Sequence, residues 1–125
     1  MASAPNALNW FEIPVNDFPR AQAFYEKVLG RPIPPMEMGP TIMGFLSDES
    51  AAAGGALVKG EGATPSQTGT MVYLNGGDDL APMLARVEGA GGRIAVPKTD
   101  IGNNFGFYAV FIDTEGNKVG LHSMG

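Results

Sequence analysis

An α+β fold made of two βαβββ halves is predicted by three features of the 125-residue sequence. Two stretches with helical spacing of apolar residues lie 62 positions apart. Each follows one strand-like segment and precedes three more. Eighteen glycines and ten prolines supply the turns that a chain of short strands needs.

The first strand is read in "LNWFEIPV", residues 8–15, apolar apart from one acid. A helix over 17–29 follows, in "NDFPRAQAFYEKVLG". Asp17 suits the N-cap, Pro19 the first turn and Gly30 the position just past the end. Phe18, Ala21, Phe24, Tyr25 and Val28 fall on one face. Three short strands come next, in "PMEM", "TIMGFLS" and "GGALVKG".

The second half starts at Gly69 with the strand "GTMVYLN". Its helix is expected over 79–90, capped by Asp79. Leu80, Met83, Val87 and Ala90 repeat the positions of Phe18, Ala21, Tyr25 and Val28, and Gly92-Arg93 repeats Gly30-Arg31. Matching cap, face and terminator by chance is improbable, so this is an internal repeat. Strands in "RIAVPK", "FGFYAVFID" and "NKVGLHS" complete it, with "DTEGN" as the turn between the last two. The link at residues 59–69 is too short to separate independent domains. One domain over 1–125 is expected, with repeats at about 8–59 and 69–123, whose halves must pack together to bury a core.

The formal charge of −5 and a pI near 4.6 oppose a phosphate backbone, so nucleic acid is not an expected partner. No cysteine is present, which excludes disulfides and zinc–thiolate sites. No apolar run reaches the roughly 18 residues of a membrane span, and "MASAPN" does not read as a signal peptide. The expectation is a cytoplasmic protein.

The duplicated unit, "IPVNDFPRAQAFYEKVLG" and the terminal "FIDTEGNKVGLHS" resemble the vicinal oxygen chelate superfamily, which includes glyoxalase I, bleomycin-resistance proteins and extradiol dioxygenases. The resemblance runs from about Leu8 to His122. It implies a curved, barrel-like mixed sheet enclosing a cavity, helices outside, and commonly a homodimer. Metal-dependent members hold one divalent cation through His, Gln or Glu. The corresponding positions here fall at Trp10, Met71, Gly120 and, in weaker register, Ala56. None is a hard oxygen or nitrogen ligand, so no metal or other cofactor is expected.

Side chains two apart on a strand share a face. If Trp10, Met71 and Gly120 face the cavity, so do Glu12, Tyr73 and His122, the only histidine. A carboxylate, a phenol and an imidazole can act as acid/base groups and hydrogen-bonding partners. Each also has a structural reading: Glu12 as a cross-sheet partner, Tyr73 as core, His122 as a hydrogen-bonded strand residue. The stretch "PKTDIGNNFGF" reads as a loop at the cavity mouth, with Lys98, Thr99 and Asn103 either as contacts to a polar ligand or as a solvated loop, and Phe107 as a further ligand contact. Three functions remain open. One is metal-independent binding of a small molecule. Another is a lyase or isomerase of lactoylglutathione-lyase type, using a shifted or weak metal site or Glu12 as base, or a dioxygenase relative. The last is drug sequestration without chemistry.

Overall fold

The computed structural model describes residues 8–48 and 53–125; the "MASAPN" start lies outside them. Its first half runs β1 (Trp10–Pro14), α1 (Phe18–Leu29), β2 (Pro35–Met38), β3 (Thr41–Phe45) and β4 (Gly54–Lys59). The second runs β5 (Tyr73–Asn75), α2 (Ala81–Val87), β6 (Arg93–Asp100), β7 (Phe107–Ile112) and β8 (Lys118–Ser123). The architecture is α+β, with two helices and two four-stranded mixed sheets among the described residues.

The sheets share one connectivity, β1-β4-β3-β2 and β5-β8-β7-β6. In each, the first strand pairs parallel with the last, and the other pairs are antiparallel. The expected single barrel-like sheet does not form. Among the described residues no backbone hydrogen bond joins β1 to β5. The residues before β5 turn towards β8 instead: Val72 accepts from the Gly120 amide at 2.8 Å and Ser66 from the Lys118 amide at 3.3 Å. β5 is accordingly shorter than the strand expected from Gly69. Pro97 sits in β6, an edge strand with register shifts around it, where a missing amide hydrogen is tolerated.

α1 forms where its caps and apolar face direct. Asp17 accepts from the Arg20 amide at 3.0 Å, Gly30 takes a left-handed φ of 72°, and the buried residues are Phe18, Ala21, Phe24, Tyr25 and Val28. α2 is shorter than the expected 79–90. Its N-cap is Leu80, and Asp79 instead accepts from the Ala81 amide two residues on. Leu84 and Val87 face the core, with Met83 only half-buried. Pro82 in the first turn and Gly89, Gly91 and Gly92 past the end leave few good helix positions.

The core is continuous across both halves. Phe24 and Tyr25 of α1 lie against Phe111 of β7, with ring centroids 5.7 and 6.3 Å apart. Beside it, the "DTEGN" turn ties the halves with polar bonds. Glu115 accepts from the amides of Asn16 and Asp17, both at 2.8 Å, and from the Arg20 guanidinium at 2.7 and 3.0 Å. Asp113 accepts from the buried Tyr25 hydroxyl at 2.7 Å and from the Asn117 amide at 2.8 Å. Asn117 in turn donates to the Pro14 carbonyl at 2.8 Å. Burial opposes ionisation of Glu115, but Arg20, the two amides and the Thr114 hydroxyl outweigh it and hold the carboxyl at about 2. Burial, then the Asp113 charge, push the Tyr25 phenol well above its usual value. These bonds fix the end of β1 and the start of α1 against the turn between β7 and β8.

Candidate functional site

Strand alternation sends Phe11 and Ile13 of β1 into the core, so Trp10 and Glu12 point to the opposite face. In the second sheet Tyr73 pairs with Gly120, Asn75 with His122, and Tyr108 with His122. These five share one face, because Leu74, Ala109 and Leu121 between them are buried in the core. Both sheets therefore present their candidate residues away from the helices.

The Tyr73 ring occupies the space that a side chain at position 120 would fill. A Cβ on Gly120 would stand 2.3 Å from Tyr73 Cδ2 and 2.5 Å from Cε2, closer than atoms tolerate. On one side of the ring lies a pocket of about 680 Å³ lined by Tyr73, Asn75, Ile101, Tyr108 and His122. The His122 Nε2 lies 2.8 Å from the Phe105 carbonyl. A carbonyl only accepts, so Nε2 carries the hydrogen and Nδ1 holds a free lone pair. This bond also holds the loop of Ile101–Gly106, whose Asn103 and Asn104 have φ of 54° and 61°.

On the other side of Tyr73 is a groove of about 880 Å³ between β1 and β5, lined by Trp10, Glu12, Met71, Tyr73 and their neighbours. Trp10 packs edge-on against Phe45 at 5.9 Å and points its indole N–H at Glu12, 3.4 Å away. Tyr73 and Asn75 belong to both spaces; Glu12 and His122 do not share one, and no hydrogen bond or ion pair joins them among the described residues. Ala56 is buried opposite Glu12.

Two of the sequence candidates sit elsewhere. Phe107 lies on the core side of β7, and Lys98 stands 4.6 Å from its ring centroid. Lys98 also pairs with Asp79 at 2.8 Å, and its hydrogen bond, followed by the Ala81 amide, lowers the Asp79 carboxyl pKa. Neither lines the pocket or the groove. Thr99, expected in the loop, lies in β6 and bonds back to the Pro97 carbonyl at 2.7 Å, while Asn103 stays in the loop after that strand. Sequence reasoning missed Tyr108 and Asn75. Alternation from His122 across an antiparallel and a parallel neighbour would have found both.

Among the described residues no three His, Cys, Asp or Glu side chains come together to hold a metal ion. Trp10, Ala56, Met71 and Gly120 contribute an indole, a methyl, a thioether and a hydrogen. That set does not fit a hard divalent cation.

Comparison with known proteins places this geometry. The sequence profile of the Glyoxalase/Bleomycin resistance protein/Dioxygenase superfamily matches residues 7–121. No curated protein matches by sequence. A glyoxalase I variant from Zea mays is similar in fold, with a TM-score of 0.73 and 23% identity over 99% of this chain and 49% of its own. The chain thus spans about half the length of the maize protein. A glyoxalase/bleomycin resistance protein from Albidiferax ferrireducens gives a TM-score of 0.71 at 16% identity, over 93% of this chain and 97% of its own. TnmS3, an antibiotic binding protein from a Streptomyces species, gives 0.59 at 22% identity, over 98% of both chains.

Proposed function

The chain belongs to the Glyoxalase/Bleomycin resistance protein/Dioxygenase superfamily, and on that premise we propose that it binds a small, largely apolar molecule between its halves, without the metal ligands usual in that group. One observation carries this reading. The Tyr73 ring laid over Gly120 forms a shared wall between the His122 pocket and the Trp10 groove. Trp10 and Tyr73 supply flat apolar surface, Met71 and Gly120 shape the walls, and His122 Nδ1 and Glu12 accept hydrogen bonds from the ligand. We take residues 1–125 as one domain of two repeats, about 8–59 and 69–123, acting in the cytoplasm.

A homodimer belongs to the same proposal. Met36, Met38 and Phe45 are exposed on the face that carries Trp10, and a second copy would cover them. Sedimentation velocity should show a dimer at micromolar concentration; a stable monomer would remove this part.

A second reading is sequestration of a drug-sized molecule without turnover. The open groove and the likeness in fold to the antibiotic-binding TnmS3 favour it. A lyase or isomerase of glyoxalase type would instead require Glu12 as base, with no support from His122, which is turned to the Phe105 carbonyl.

The test uses N-phenyl-naphthylamine, a neutral aromatic probe whose fluorescence rises in apolar surroundings. Binding should quench Trp10, the only tryptophan. Gly120→Ala should weaken it about tenfold, or roughly 1.4 kcal/mol, because the Tyr73 ring must leave its place. No binding to the parent protein would defeat the proposal.

A further inference from the structure

Of the eight Lys and Arg residues, three are drawn in from solvent: Arg31, Arg86 and Lys98. Arg86 donates to the Val28 carbonyl at 2.9 and 3.2 Å, and Lys98 pairs with Asp79. Among the described residues Arg31 has neither a hydrogen bond nor an ion pair, yet it lines the groove between β1 and β5. Its guanidinium donors, which no acceptor among the described residues takes up, are therefore left open to an incoming group.

Its position is fixed rather than incidental. Gly30 turns the chain out of α1 with a left-handed φ of 72°. Two residues after Arg31, the Ile33 amide donates to Glu26 at 2.7 Å and the Ile33 carbonyl accepts from Gln22 at 2.9 Å. Arg31 thus projects from a clamped backbone into a groove walled by Trp10, Phe11 and Met83. Among the described residues that line the groove it is the only cation. Of the two acids there, Asp48 already has a partner, and Glu12 faces the Trp10 indole.

We infer that Arg31 is an anion anchor, and that the ligand of this groove is an aromatic or apolar molecule carrying a carboxylate, sulfonate or phosphate group. The inference rests on the small-molecule reading given above and narrows its ligand class. A planar fork with five donors takes such a group in a bidentate manner, while the apolar walls take the body. In a chain of net charge −5, an anion has little reason to enter without such an anchor.

Anilinonaphthalene sulfonate and N-phenyl-naphthylamine share one aromatic body and differ by the sulfonate. Their affinities are measured on the parent protein, on Arg31→Met, Arg31→Lys and Lys59→Met, each verified as folded by circular dichroism. The affinity ratio of sulfonate to neutral probe should fall about tenfold in Arg31→Met, as loss of one charge-assisted contact implies. Arg31→Lys should keep part of it, and Lys59→Met, which removes the same charge from an exposed site, should keep nearly all. A fall of less than about threefold in Arg31→Met, or an equal fall in Lys59→Met, overturns the anchor. If neither probe binds the parent protein, the small-molecule reading fails first; if only the ratio is insensitive to Arg31, this inference alone fails.

Discussion

The two halves meet differently at the two ends of the seam between them. At the end marked by "DTEGN", Asp113, Glu115 and Asn117 bond to Asn16, Asp17, Arg20, Tyr25 and the Pro14 carbonyl. At the other end Trp10, Tyr73 and Arg31 face a groove and find few partners or none. Among the described residues no buried side-chain nitrogen or oxygen goes unbonded. The polar groups left over therefore collect where the surface is open. One end spends its polar groups on joining the halves, and the other keeps them available.

The largest test of this contrast is Glu115→Ala. It strands the Asn16 and Asp17 amides in a part-buried site, while the half-exposed Arg20 side chain returns to water, at a cost of about 4 kcal/mol from the two amides. Urea unfolding at neutral pH should show that loss; a change under about 1 kcal/mol would mean the closed end holds little. Acid should produce a similar but smaller effect. The Glu115 carboxyl lies at about 2 in the fold against 4.5 as its ordinary value. Its contribution, about 3 kcal/mol, is complete above pH 4.5 and is lost as pH falls towards 2. Unfolding followed across that window should steepen in the parent and flatten in Glu115→Gln.

The smallest effect on stability is expected at the open end. His122→Ala removes one exposed hydrogen bond to Phe105, and the unfolding free energy should shift by about 0.5 kcal/mol. Amide exchange should instead rise across the Ile101–Gly106 loop. A loss as large as that of Glu115→Ala would erase the distinction between the ends.

Local signals read well. The caps and apolar face of α1 lie within fourteen consecutive residues, and most strand starts follow Gly or Pro punctuation. The offset places α2 but overstates its length at both ends: the expected 79–90 takes in Asp79, Leu80 and the stretch from Glu88 through Gly89 to Ala90, whereas the helix runs Ala81–Val87. "DTEGN" was legible as a turn; its acids were not legible as a clamp, because their partners lie 88 to 99 residues away. Likewise the separation of β1 from β5 depends on Val72 and Ser66 choosing β8, a competition no local pattern expresses. Arg31 read as a helix-end residue, and an absent partner leaves no trace in sequence.

That separation of the two sheets has a mechanical corollary. No ladder hydrogen bond crosses from β1 to β5 among the described residues, while the end of β1 is riveted to the turn between β7 and β8 by Glu115 and Asn117. Such a pair behaves as two jaws on one hinge pin. Under the proposed small-molecule reading, a bulkier guest could spread the jaws at the Trp10–Tyr73 end without severing any rung of either sheet, and the pin would then set the size limit.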